Sequence, residues 1–329
     1  MTTLYASVTG TTNPLNISVS TNHNSAVSTA VVEATSTNLG IGDSIIIYLG
    51  YTGNYAKVFT GYVKQIERSV PNNTYIITAQ DVLVRAVDFF IVSENPDEPF
   101  KRSNISAEDL ITDVLELAGI TSVNASPTNF VFATATELEV NLVSAYDYCK
   151  YIADFLTYHL YADENGTVRF LNRKPYVMLA GSPESSQPGF VADTSSGIIT
   201  DSNILTFTYK ESEQDLRNRV VVYGSPGVYA EASSSSPYLP AGYYKSVAFA
   251  TPLIDQEIYA QRAADYNLLI LNRLTRHIST TVIGNPAYLA RKVFTINESI
   301  LGINADYYIL IAEHNWSKAG YTTSLEMRR

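Results

Sequence analysis

The sequence predicts a mainly β protein with an α+β insert: two small antiparallel β-barrel domains and, between them, a small α+β domain. Three observations carry this. Period-two alternation rich in β-branched and aromatic residues recurs at both ends of the chain, the mark of half-buried strands. Clusters of Asn, Gly and Thr separate those runs and supply turns. The middle of the chain instead carries capped helical periodicity, followed by an Asn-Gly hairpin signal.

Residues 1–95 form the first expected barrel. Its strands are Ile17–Val19, Ala30–Ala34, Ser44–Leu49, Ala56–Arg68 and Thr74–Ala79. Pro71-Asn-Asn73 reads as a turn, Gly40-Ile-Gly-Asp43 leads tightly into the apolar run Ile45–Ile47, and Asp81–Phe90 is expected as a short helix. The proline- and acid-rich segment Glu94–Pro99 is taken as a boundary.

Residues 96–178 are the expected insert. Ser106 caps a helix to Ala118, with Asp109 three residues on. Leu110, Ile111, Val114, Leu115 and Ala118 share its apolar face, and Gly119 stops it. Ser144 and Asp147 repeat the pattern for a second helix to about His159, with Tyr148, Ile152, Phe155, Leu156 and His159 inward. Leu160–Ala162 and Thr167–Leu171 follow as strands joined through Asp163-Glu-Asn-Gly166.

Residues 179–329 are assigned to the second barrel. Gly181–Gly197 reads as a linker, Ile198–Tyr209 and Arg219–Gly224 as strands, and 225–246 as a long loop carrying Tyr229, Tyr238, Tyr243 and Tyr244. Loops of that length are uncommon in compact domains unless they bind something or are disordered; those four tyrosines are the candidate partner contacts. A crossover helix is expected over 255–276, then strands at His277–Ile283 and Arg291–Ile296. The chain closes on the hairpin Asp306–His314 and Tyr321–Met327, with Lys318-Ala-Gly320 in its turn. Strands at the very end cannot close a sheet alone, so they are expected to pair with strands laid down much earlier. The two β regions share a grammar, although their identity is too weak to prove a duplication.

Composition narrows the function. Hydrophobic residues make up 46% and charged ones only 16%, so Ser, Thr, Asn and Tyr must supply much of the polar surface of a globular protein. The 24 tyrosines suit either ordinary strand surfaces or strands that face a partner. A net charge of -10 without a Lys/Arg block argues against specific DNA or RNA binding, which needs a basic stripe. The N-terminus lacks signal-peptide character and no run approaches a membrane span, so a soluble protein made in a cytoplasm is expected.

Chemistry is not indicated. The single cysteine, Cys149, lies among apolar helix positions and reads as an inert buried thiol. None of His23, His159, His277 and His314 has metal-ligand spacing, and His314 reads as a structural imidazole. Neither a Gly-x-Ser-x-Gly elbow, nor a phosphate loop, nor a dinucleotide fingerprint occurs. We therefore expect no catalytic residue, no cofactor and no metal. Acidic pairs such as Asp163/Glu164 and Glu211/Glu213 keep a carbohydrate-active enzyme as an alternative, because glycosidases need two facing carboxyls. A single tryptophan, Trp316, weakens a sugar-binding reading.

In order, these segments resemble the baseplate hub proteins of phage tails, the family that includes the late-control tail proteins of contractile phages. Phe59-Thr-Gly-Tyr-Val63 and Tyr75-Ile-Ile-Thr-Ala-Gln-Asp81 resemble a paired motif of its first barrel. Ser106–Ile120 is similar to the helix opening its inserted domain, and Asn165–Phe170 to that domain's hairpin. Leu216–Gly224 resembles the segment returning to the second barrel, and Tyr307–Met327 the closing hairpin. The resemblance implies tail-tube-like barrels in a homotrimer, presenting six near-equivalent barrels to a sixfold tail tube with a trimeric spike below. It implies contacts with tube or tube-initiator, spike and other baseplate proteins, and a lumen through which genome DNA passes without specific binding. It implies a virion protein assembled in the host cytoplasm and acting in DNA ejection. Having no room for a spike domain beyond Arg329, the chain is expected to use a separate spike protein. A host-glycan-binding tail adhesion module is the alternative within tails.

Overall fold

The computed structural model describes residues 3–70, 73–92, 100–128, 130–132, 143–172 and 194–329. The expected turn at 71–72, the boundary Glu94–Pro99 and most of the linker 181–193 lie outside them.

The first β unit contains β1 (Leu4–Val8), β2 (Thr11–Asn22), β3 (Thr29–Thr37), β4 (Ser44–Tyr51), β5 (Asn54–Ser69) and β6 (Thr74–Asp81). A middle segment follows with α1 (Val84–Asp88), β7 (Phe90–Ile91), β8 (Ile105–Ser106), α2 (Ala107–Leu117), β9 (Val123–Ala125) and β10 (Val131–Phe132). It continues through β11 (Val143–Ser144), α3 (Ala145–Phe155), β12 (Tyr158–Ala162) and β13 (Val168–Asn172). Next come β14 (Ile198–Thr200), β15 (Ile204–Ser212), β16 (Arg219–Tyr223), β17 (Tyr229–Ser233), β18 (Ser246–Ala250) and α4 (Glu257–Leu271). The chain ends with β19 (Thr275–Ile283), β20 (Val293–Glu298), β21 (Ile303–Ser317) and β22 (Gly320–Arg328). The protein is mostly β with few helices, as the alternation patterns predict.

Both long central helices start on the predicted caps. The Ser106 hydroxyl accepts the Asp109 amide at 3.2 Å and donates to the Asp109 carboxylate at 2.7 Å. Ser144 and Asp147 repeat this at 3.0 and 2.7 Å. The second helix stops earlier than expected, because Thr157 adopts φ 60° and breaks the helical path. His159 therefore lies on β12, not on a helix face. The run expected as one strand over Ile198–Tyr209 divides at Asp201–Asn203, where the Asn203 side chain accepts the Thr200 amide at 3.3 Å.

That division exposes a repeat. Counting the first unit's strands one to six, the hydrogen-bonded order is β2-β3-β6-β5-β4-β1. Counting β14, β15, β19, β20, β21 and β22 the same way, the order is β15-β19-β22-β21-β20-β14: second, third, sixth, fifth, fourth, first in both cases. Two bulges repeat as well, whereas the one at Val58 between β4 and β5 has no counterpart between β20 and β21. Leu15 is the extra residue in β2 and Leu205 its counterpart in β15. Lys64 is extra in β5 and Leu310 in β21. One orientation differs, since β1 runs antiparallel to β4 whereas β14 runs parallel to β20.

The two units do not stand apart. β2 pairs antiparallel with β21 from Asn16↔Ser317 to Asn22↔Ile311, fusing them into a single 12-stranded sheet among the described residues. Chain-terminal strands thus pair with early ones, as a hairpin at the end of the chain requires. Each unit has its own core: Ile17, Val19, Ile45, Ile47, Phe59 and Ile77 in one, Ile278, Val282, Phe294, Ile309 and Leu325 in the other.

The segment between β15 and β19 was expected to belong to the second β unit, and its packing corrects that. β16 lies between β17 and β18 in a separate three-stranded sheet. Val220, Val222, Ala230, Ala232, Ala260 and Ala264 join one core with Leu110, Ile111, Cys149, Ile152 and Phe170. The apolar faces of β16 and α4 thus cover the helices α2 and α3, not the 12-stranded sheet. Likewise 225–246 is not all loop: Tyr229–Ser233 alternates exposed and buried, with the small side chains of Ala230 and Ala232 inward. Alanine has weak strand propensity, so this strand left little trace in the sequence.

Gly61, in the Phe59–Val63 motif, faces β6 so closely that a Cβ there would overlap the Gln80 carbonyl. Neither backbone can retreat without breaking the β5–β6 register. Gly61→Ala is expected to cost roughly 1–3 kcal/mol, as overpacking does. Chemical denaturation measures it; a variant within ~0.5 kcal/mol of wild type would contradict this packing.

Candidate functional site

The fold concentrates its unusual chemistry where the two β units and the middle segment meet. Across the β2–β21 pairing, Ile17 lies opposite Trp316, and Trp316 and Tyr321 from the second unit are buried in the first unit's core. The first unit's core is therefore completed at this junction by residues from a distant part of the chain.

His314 sits in the same pairing, opposite Val19, and is fully buried. Hydroxyls of Tyr321 and Thr323 converge on its Nδ1 at 2.8 and 3.2 Å. Burial drives its pKa down to about 4, so the imidazole is neutral near pH 7. This is a buried imidazole, as a structural role expected from sequence requires, held by two hydroxyls of its own hairpin.

Arg291 links all three parts. Its backbone has φ 72°, and its guanidinium donates to the Asn22 carbonyl at 3.0 Å and reaches the His23 carbonyl at 3.4 Å. The same group lies 4.4 Å from the centre of the Tyr161 ring on β12, a cation–π contact. His23 Nδ1 meets the Tyr308 hydroxyl at 3.0 Å, and its ring stands edge-on to His159 at 5.1 Å. Nearby, buried Asp81 accepts the Ser28 and Leu83 amides at 2.6 and 2.9 Å. Desolvation still pushes its pKa up to about 6, the two amides opposing it in part. A small cleft lined by Thr21, Asp81, Tyr161, Asp163 and Arg291 holds ≈ 30 Å³, room for about one water and not for a substrate. These groups bind the parts together through buried polar contacts.

The four tyrosines singled out in the sequence lie on the outside of the excursion between β15 and β19. Tyr229, Tyr238, Tyr243 and Tyr244 are 45%, 44%, 54% and 55% exposed. Tyr229 donates to Glu231 at 2.7 Å, and Glu231 holds Arg219 through two contacts of 2.8 Å. Arg219 lies 6.0 Å from the Tyr244 ring, and Tyr223 is tilted against Tyr229 at 5.4 Å. The structure thus groups Tyr229 and Tyr244 around one ion pair and adds Tyr223, which alternation alone placed on a strand with no sign of the cluster.

Buried Asn218 fixes the connection beneath them. It donates to the Tyr243 carbonyl at 2.9 Å, accepts the Lys245 amide at 2.7 Å, and its carbonyl accepts the Ser234 amide at 3.0 Å. Cys149 is buried, with its thiol 3.9 Å from the Ile111 carbonyl, and burial pushes its pKa up. It is packing, as predicted.

The YQBQ-like family model matches residues 7–328. No curated protein sequence matches the chain. Among solved structures, a tail protein from Neisseria meningitidis MC58 is similar with a TM-score of 0.69 at 13% identity, covering 99% of this chain and 97% of that one. The 43 kDa tail protein of prophage MuSo2 from Shewanella oneidensis gives 0.64 at 14%, with the same coverage of 99% and 97%. The E. coli c3393 protein, a component of the type VI secretion system described as structurally similar to T4 tail proteins gp27 and gp5, gives 0.50 at 6%, covering 98% and 76%. At these identities the likeness is one of fold.

Two outcomes follow from the site. The folded state disfavours the His314 imidazolium, so between pH about 6.5 and about 4 the unfolded chain binds the extra proton. Stability from this group is complete above that window and falls as pH drops, by on the order of 3 kcal/mol in total. Asp81 opposes it, since its raised pKa makes the folded state bind the extra proton from about pH 6 downward. Comparing melting at pH 7 and pH 5 in wild type and His314→Gln cancels the Asp81 contribution. The variant should lose less stability on acidification; an equal loss would remove His314 as the cause. For the tyrosine loop, Asn218→Ala removes its part-buried hydrogen bonds to the Tyr243 carbonyl and the Lys245 amide, at roughly 1 kcal/mol. Limited proteolysis should then cut 234–245 faster, and an unchanged rate would show that the clamp is not what orders the loop.

Proposed function

The chain belongs to the YQBQ-like family, and from that premise we propose that it is a structural tail protein of the baseplate-hub kind, a symmetry adaptor between a sixfold tube and a trimeric spike. The observation that supports it most directly is the repeat: two six-stranded units with one strand order and matching bulges, fused through β2 and β21. A chain built this way offers two near-equivalent rims. Three copies arranged head to tail present six, which is how a threefold component can meet a sixfold ring.

In this reading the two six-stranded units are the duplicated barrels and the α2–α3 and β16–α4 segments are elaborations around them. The protein is not an enzyme: it needs no cofactor, and its polar groups at Asp81, Arg291 and His314 serve cohesion. Its location is the tail of a virion, assembled in the host cytoplasm, with a lumen that lets DNA pass during ejection. A net charge of -10 suits such a path, since phosphates do not adhere to an acidic wall. The exposed cluster of Tyr223, Tyr229 and Tyr244 is the contact for another baseplate or spike component, because phenols supply broad contact area at little entropic cost.

Co-purification of the tagged protein with the tube and spike proteins of the same particle is the test. Capture of both, with mass in solution matching three chains, is the expected result. Capture of neither would overturn the hub reading. Glycan binding lost on Tyr229→Ala and Tyr244→Ala would instead favour an adhesion module.

A further inference from the structure

The repeat leaves two edges whose counterparts are already paired inside the chain. Matching the units by their bulges makes β2 equivalent to β15, with Leu15 on Leu205, and β5 equivalent to β21, with Lys64 on Leu310. Flanking pairs agree: Tyr62 pairs with Ser44 and Gln80, as Tyr308 pairs with Val293 and Arg328. Within the chain, the outer edge of β2 meets the last part of β21. The equivalent edges are the outer edge of β15 and the last part of β5. β15 ends the 12-stranded sheet, and β5 pairs with β4 only up to Tyr62. Among the described residues neither edge has a further strand partner.

We propose that the outer edge of β15 in one copy of this protein pairs antiparallel with residues 65–69 of β5 and the adjoining Val70 in the next copy, reproducing the β2–β21 junction between chains. The proposal rests on the ring reading above and names the surface that closes the ring. Carrying the internal register across fixes the partners. Phe207 lies opposite Val70, Thr208 opposite Ser69, Tyr209 opposite Arg68, Lys210 opposite Glu67 and Ser212 opposite Gln65.

The side chains suit that register. Ile17 and Trp316 face each other inside, with Trp316 closing the first unit's core. Their counterparts are Phe207, half-buried against the second unit's core, and Val70, which is 81% exposed. An apolar side chain that far into water at a strand end becomes buried once Phe207 covers it. Arg68 meets the Tyr209 ring on the same face. On the opposite face Lys210, which has no ion-pair partner among the described residues, meets exposed Glu67, an opposite-charge pair directly across the strands. Unprotected edges invite strand addition, and here the two edges differ, so the contact is heterologous and repeats around a ring.

Cysteine pairing and charge reversal in the full chain test this. Ser69→Cys with Thr208→Cys should give covalent species up to three chains on oxidation, while Ser69→Cys with Ser212→Cys, out of register, should not. Lys210→Glu or Glu67→Lys alone should raise the dissociation constant for self-association by roughly fivefold, and the double reversal should restore it. Melting of each variant at low concentration reports folding separately. Cross-linking equal in both pairs, reversal without rescue, or a wild type that stays monomeric at its highest soluble concentration would each overturn the seam. A protein that fails here yet captures tube and spike keeps its hub function; one that closes through this seam yet captures neither loses the hub reading while the seam stands.

Discussion

One backbone pairing decides the shape of this protein: β2 against β21. It joins residues 295 positions apart, such as Ser18 and Glu313, and turns two sheets into one. Closing so long a loop costs conformational entropy that grows only slowly with length, and the pairing offsets it at a single stroke with ladder hydrogen bonds and buried aromatic area. Trp316 and Tyr321 belong by sequence to the second unit and by burial to the first. Removing the pairing would leave one core open and the edge of β2 bare, so the units cannot be treated as independent beads on a string.

Around that junction the buried polar groups act as fasteners. Arg291 adopts a left-handed backbone conformation, and its guanidinium meets the carbonyls of Asn22 and His23 at the end of β2 and the ring of Tyr161. Such a conformation is costly for a non-glycine residue and persists where surroundings fix it. The contacts tie the first unit, the middle segment and the second unit at one point.

The connection between β15 and β19 shows how a repeat can diverge without losing its plan. The first unit joins its second and third strands through residues 23–28, whereas the second unit spends 213–274 on the same connection. That excursion does not fold back on its own sheet. β16 and α4 lie against the core built by α2 and α3, and their outer surface carries the tyrosines. The duplicated sheets thus supply the symmetric framework, and the insertions supply what is particular to this chain.

Much of the fold was legible locally. Ser106 and Ser144 fixed two helix starts, alternation located the long strands, and Lys318-Ala-Gly320 placed the final turn, because caps, period and turn chemistry act between near neighbours. The inertness of Cys149 and the structural role of His314 could also be read from apolar surroundings and missing ligand spacing. The turn at Asp201–Asn203 and the end of α3 at Thr157 are local but weakly signalled; the small-residue strand at Tyr229–Ser233 and the allegiance of α4 depended on distant partners. The duplication was hidden for the same reason. Strand order and bulge position are properties of pairing between remote segments, and side chains can change almost completely while the hydrogen-bond ladder that defines them stays in place.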